Sequence, residues 1–143
     1  MSRYEELAYL FTDEHRSECC DFANFLAGGL AEYLGCPKDK ICFVSEAQKE
    51  LIAAECTSSV AYQRNGFVHT TLGIVLPDEL LPRPTMRAGI NLQKIQEGFL
   101  VQITEKHGDY TLCRKNPKAL HKFYESLFNR FAELQRGMVC SDV

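Results

Sequence analysis

Residues 58–76 read SSVAYQRNGFVHTTLGIVL, and the Asn65-Gly66 pair at their centre decides the fold. Asn-Gly supplies the two positive-φ positions of a type I′ turn, and both flanks are rich in β-branched and aromatic residues, so the stretch reads as a β-hairpin. A two-residue loop sets the register. Tyr62 then faces His69, Arg64 faces Phe67 and Val60 faces Thr71 on one side of the sheet, with Ala61, Val68, Thr70 and Leu72 on the other.

Strand signals continue downstream. Pro77, Pro82 and Pro84 each remove a backbone donor and fix φ, so residues 77–87 read as a loop with at most one helical turn, at 78–81. Strands follow at 88–95 and 98–106. His107-Gly108 is the expected turn of a second hairpin, in which Ile103 opposes Leu112 and Glu105 opposes Tyr110. Asn116 can cap a helix with Pro117 at its first position, and Leu120, Phe123/Tyr124, Leu127/Phe128, Phe131 and Leu134 trace an apolar stripe toward Gly137. That helix is expected to lie across the sheet and hold it together.

Upstream the chain reads as helical. Ser2 with Glu5 has capping-box spacing and predicts a short helix to Phe11. A second start at Thr12 or Asp13 precedes Cys19, Phe22, Phe25/Leu26, Leu30 and Tyr33/Leu34, which recur at helical steps and share a buried face. Gly28 and Gly29 either weaken this helix or admit a close neighbour, and Gly35 followed by Pro37 ends it. Lys40 to Ser45 is a short buried strand, and the spacing of Ser45 and Gln48 predicts a helix of about ten residues over EAQKELIAAEC. The reading is one α+β domain over residues 1–143. Its mostly antiparallel sheet of five or six strands carries amino-terminal helices and a carboxy-terminal amphipathic helix packed on it.

Charge divides along the same line. Residues 1–57 hold eleven acids against five bases, and residues 58–143 hold eleven bases against eight acids. No segment approaches the roughly 18 apolar residues of a membrane span, and the start lacks the basic and apolar regions of a secretory signal. A cytoplasmic location is therefore expected. In a reducing compartment the seven cysteines read first as small buried apolar side chains.

The loops and spacings that carry common nucleotide, zinc-protease, hydrolase and dithiol chemistries are missing from the sequence. No cofactor is expected. His15 and Cys19 lie four apart on a predicted helix, and with Cys36 and Cys42 they form the one candidate metal set. His69 could act as a general base if Cys56 or Cys113 came beside it. Tyr62, His69, Arg83 and Arg87 are the candidate contacts of a small ligand, in a pocket expected between sheet and helices with the proline-punctuated loop as a lid.

Eight bases lie between Arg83 and Lys122, which admits a nucleic-acid reading, against the overall charge of −3. The opposite charges of the two halves also suit self-association, the acidic helices of one copy against the basic sheet of another. The first functional expectation is a non-catalytic binding or regulatory module acting through a protein partner, as a homodimer. The second is a small-molecule binder or enzyme.

Overall fold

The computed structural model describes residues 2–44, 55–57, 60–76, 85–105 and 108–141, with Thr85 and residues 135–141 described by backbone alone. Helix α1 (Arg3–Tyr9) starts where Ser2 Oγ accepts the Glu5 N–H at 3.2 Å. Helix α2 (Asp13–Leu34) starts where Thr12 Oγ1 accepts the His15 N–H, also at 3.2 Å. It ends at Gly35, whose φ of 71° is left-handed, and the N–H groups of Gly35 and Cys36 close back onto Glu32 and Ala31. A 3₁₀ turn over Lys38–Lys40 leads into the sheet.

The sheet has strands β1 (Ile41–Val44), β2 (Tyr62–Arg64), β3 (Phe67–Val75), β4 (Thr85–Ile95), β5 (Gly98–Ile103) and β6 (Tyr110–Leu112). They run in the order β1-β3-β4-β5-β6, with β2 also paired to β3, and every pairing is antiparallel. Helix α3 (Pro117–Ser141) follows, with the Ala119 N–H donating to the Asn116 side chain at 3.2 Å. The domain is α+β, with its last helix packed on an antiparallel sheet as the apolar periodicities required.

The first hairpin has the expected register, Tyr62 opposite His69 and Arg64 opposite Phe67, with Asn65 and Gly66 at φ 56° and 80°. The second differs. Val101, not Glu105, pairs with Tyr110, and Phe99, not Ile103, pairs with Leu112. Glu105 sits at φ 69°, a conformation no strand residue holds, and this ends β5 before the expected turn. Strand β4 begins at Thr85, directly after the last proline, and so runs three residues into the expected loop. The expected helix over 46–56 and the helical turn at 78–81 fall on residues outside, or largely outside, those described.

Alternation places Phe43, Leu72, Ile90, Leu92, Val101 and Ile103 on the face that meets α2 and α3, in one core with Phe22, Leu26, Leu30, Phe123 and Leu127. Burying large apolar side chains contributes about 1.5 to 3 kcal/mol each. Phe22 stacks on Phe99 at a centroid separation of 4.1 Å and so joins α2 to β5. Gly29 is the close-approach glycine of α2: a Cβ there would collide with the Tyr124 hydroxyl of α3. That hydroxyl is buried without a hydrogen-bond partner among the described residues, and burial pushes its pKa up to about 12.

Candidate functional site

The two faces of the sheet differ. Opposite the helices, odd-numbered residues of β3 and β4 and even-numbered residues of β2 share one surface. On it Tyr62 and His69 stack nearly parallel, centroids 5.1 Å apart and planes 14° apart. Thr71, one step along β3, pairs across with Val44 on one side and Gly89 on the other.

These residues border a cavity of about 520 Å³ with Arg64, Arg87, Asn91 and Thr104 around it. Its described lining contains two guanidinium groups and an imidazole, and no carboxylate. Gly89 keeps the floor low, since a Cβ there would come within 2.6 Å of Thr104 Oγ1. Asn91 donates to Gln102 at 3.3 Å, and Gln102 to Asp109 at 2.8 Å, which fixes the far wall.

Three of the four expected ligand contacts, Tyr62, His69 and Arg87, therefore border one cavity; Arg83 lies outside the described residues. The cavity is on the face away from α2 and α3, not between sheet and helices, because strand alternation sends the apolar residues to the helices and these polar ones outward. Arg64, Thr71, Asn91 and Thr104 were not singled out from sequence. Arg64 was readable from the hairpin parity; the others depend on strand pairings that local pattern does not specify.

The candidate metal set does not assemble, and among the described residues no group of three or more His, Cys, Asp or Glu side chains could hold a metal. His15 and Cys19 do touch, Sγ to Nε2 at 3.4 Å. His15 is fully buried, however, and both of its nitrogens are committed: Nδ1 donates to the Leu10 carbonyl at 3.1 Å and Nε2 accepts the Lys94 N–H at 3.0 Å. That leaves no imidazole lone pair for a cation. Burial lowers the His15 pKa and pushes the Cys19 thiol up to about 12. Cys42 donates instead to the Gly73 carbonyl at 3.5 Å, and Cys36 borders an apolar cavity at the end of the sheet.

Nor is a thiol set beside His69. Cys56 contacts Thr70, Sγ to Oγ1 at 3.8 Å, and Thr70 points to the opposite face from its neighbour His69. Cys113 follows β6, three strands from β3. The bases between 83 and 122 do not form one patch among the described residues. Arg87 is on the face opposite the helices, while Lys94 lies over Phe99 at 4.8 Å and Arg114 over Phe25 at 5.0 Å on the helix side.

No protein-family model, curated protein or solved structure matches the chain significantly. No helix among the described residues is long and apolar enough to cross a membrane.

Proposed function

We propose that this domain is a non-catalytic binding module whose sheet face opposite α2 and α3 takes a small anionic ligand. The supporting observation is the cavity bordered by Arg64, Arg87 and His69 beside the Tyr62 ring, in a chain that carries more acids than bases. Its volume of about 520 Å³ suits a small molecule, since ligand sites run from about 300 to 1,000 Å³. Guanidinium groups form charge-assisted, bidentate hydrogen bonds to carboxylate or phosphate. The Tyr62–His69 stack offers a flat aromatic surface beside them, which favours a planar group carrying the anion.

Thermal unfolding at low salt with inorganic phosphate, succinate or phenyl phosphate tests this reading. Phenyl phosphate is expected to raise Tm by roughly 5 to 10 °C near saturation, with phenol inert. Arg64 is exposed, so Arg64→Gln is expected to leave the fold intact and abolish the shift. No shift with any of the anions up to about 10 mM, where even millimolar affinity would register, overturns the reading.

A second reading, self-association, has separate support. Tyr4, Leu7 and Phe11 stand 82, 58 and 59% exposed around α1, which buries none of its residues. An apolar cavity of about 610 Å³ bordered by Leu34, Ile74, Met86 and Phe131 lies at the end of the sheet, with Lys40 beside it. Glu5 and Glu6 flank the α1 stripe, so α1 of a second copy is the complementary occupant of that cavity. Sedimentation at micromolar concentration is expected to give a dimer that Leu7→Glu dissociates. A monomeric native chain sinks it.

A further inference from the structure

Cys20 and Cys56 are far apart in sequence, and the fold brings them together. Cys20 lies on α2, one turn after Arg16 and one turn before Asn24. Asn24 grips the backbone of Cys56 twice: its Oδ1 accepts the Cys56 N–H at 2.7 Å and its Nδ2 donates to the Cys56 carbonyl at 3.1 Å. This pair of hydrogen bonds imitates strand pairing and holds the Cys56 backbone against α2, one turn from Cys20. Both sulfur-bearing residues border a cavity of about 410 Å³ with Arg16, Ser17, Asp21 and Thr57. Each cysteine is about 95% buried, at 5 and 4% exposure, and both border this cavity.

We propose that Cys20 and Cys56 are an oxidation site, at which a hydroperoxide entering this cavity converts the two thiols into a disulfide joining α2 to the segment before β2. The pair is asymmetric in the way the chemistry needs. The neighbouring Cys56 thiol holds the Cys20 thiol below its ordinary range. Arg16 adds to this, while burial and Asp21 oppose it. Cys56 is raised, by the neighbouring Cys20 and then by burial. Cys20 is therefore the attacking sulfur and Cys56 the resolving one. Burial also raises Cys19, the adjacent thiol on α2, which keeps it as a thiol. Arg16 Nε is buried without a hydrogen-bond partner among the described residues, a spare donor on the helix turn that precedes Cys20.

In the first step the Cys20 thiolate attacks one peroxide oxygen. An S–O bond forms, the O–O bond breaks, and the departing oxygen takes a proton and leaves as water. In the second step the Cys56 sulfur attacks the sulfenic acid. The S–S bond forms, the S–O bond breaks, and hydroxide leaves with the Cys56 proton as a second water. Two thiols are oxidised by two electrons, and one hydrogen peroxide is reduced to two waters.

The test treats the folded full-length chain with stoichiometric hydrogen peroxide and measures intact mass under denaturing, non-reducing conditions. The expected result is a loss of two hydrogens, reversed by dithiothreitol, with fragmentation placing the link between Cys20 and Cys56. Cys19→Ser is expected to keep the link and Cys20→Ser to lose it, while Cys56→Ser leaves a sulfenic acid on Cys20 that dimedone captures. The native-chain measurement stands whether or not a variant folds. A link between other cysteines, no oxidation at either residue, or the same mass loss in Cys20→Ser overturns the proposal.

Discussion

Replacing His15 with leucine is expected to destabilise the fold by about 1 to 3 kcal/mol, read from urea unfolding, although leucine fills a similar volume and is more apolar. The reason is polar accounting. Lys94 pairs with Phe99 of β5 but lies beyond Leu92, the last β4 residue paired to β3, and its N–H donates to His15 Nε2. The Leu10 carbonyl, at the end of α1, is held by Nδ1 of the same ring. Leucine leaves the Lys94 N–H without its acceptor, at a cost of about 1 to 3 kcal/mol for an unsatisfied buried donor, while the Leu10 carbonyl keeps the Gln63 side-chain donor at 3.3 Å. His15→Gln, with both a donor and an acceptor, is expected to lose less.

The same residue gives a pH dependence with a definite sign. Burial is the largest influence and lowers the His15 pKa in the folded state, opposed by the Leu10 carbonyl and Glu18. Above the ordinary value of 6.5 the ring is neutral in both states and pH has no effect through it. Below that value the unfolded chain binds a proton that the folded chain withholds. Stability then falls with pH, by at most about 1.4 kcal/mol per unit, until the folded ring is itself protonated. In His15→Leu this limb disappears, so the variant starts less stable at neutral pH and declines more gently between pH 6.5 and the onset of carboxylate titration. An unchanged slope would locate the acid sensitivity elsewhere.

His15 also marks the boundary of what the sequence makes legible. The Asn65-Gly66 turn is local chemistry, four residues long, and it carried the Tyr62–His69 register without error. The α2 and α3 stripes repeat over many turns and were equally readable. Glu105 was not: a glutamate in a left-handed conformation has no sequence signature, and the second hairpin was misregistered by four residues because of it. Functional residues divide in the same way. Tyr62, His69 and Arg64 follow from one hairpin, whereas Asn91 and Thr104 reach the cavity only through pairings among β3, β4 and β5. His15 resembled a ligand because of its helical spacing from Cys19, when its decisive partner was a backbone N–H on a distant strand. Cys20 and Cys56 likewise border one cavity because Asn24 holds the backbone of Cys56.

Truncating Phe123 to alanine is the second large effect, expected at about 3 to 5 kcal/mol with a fall in Tm of roughly 10 °C. Phe123 is fully buried under α3, with Tyr110 of β6 edge-on at 5.4 Å, and its loss opens a cavity between that helix and the sheet that neighbours on two rigid elements cannot collapse to fill. Against a total of about 5 to 15 kcal/mol for a domain, this is a large share. Phe128, on the same helix but 48% exposed, is the control: Phe128→Ala is expected to change stability by no more than about 0.5 kcal/mol in a monomer. The comparison reaches beyond the core, because Phe128 borders the apolar cavity assigned to α1 of a second copy. A cost at Phe128 that grows with protein concentration means that the ring is covered by association, since only a bound partner makes stability depend on concentration. A cost at Phe123 that does not grow with concentration identifies its ring as part of the folding core of each chain.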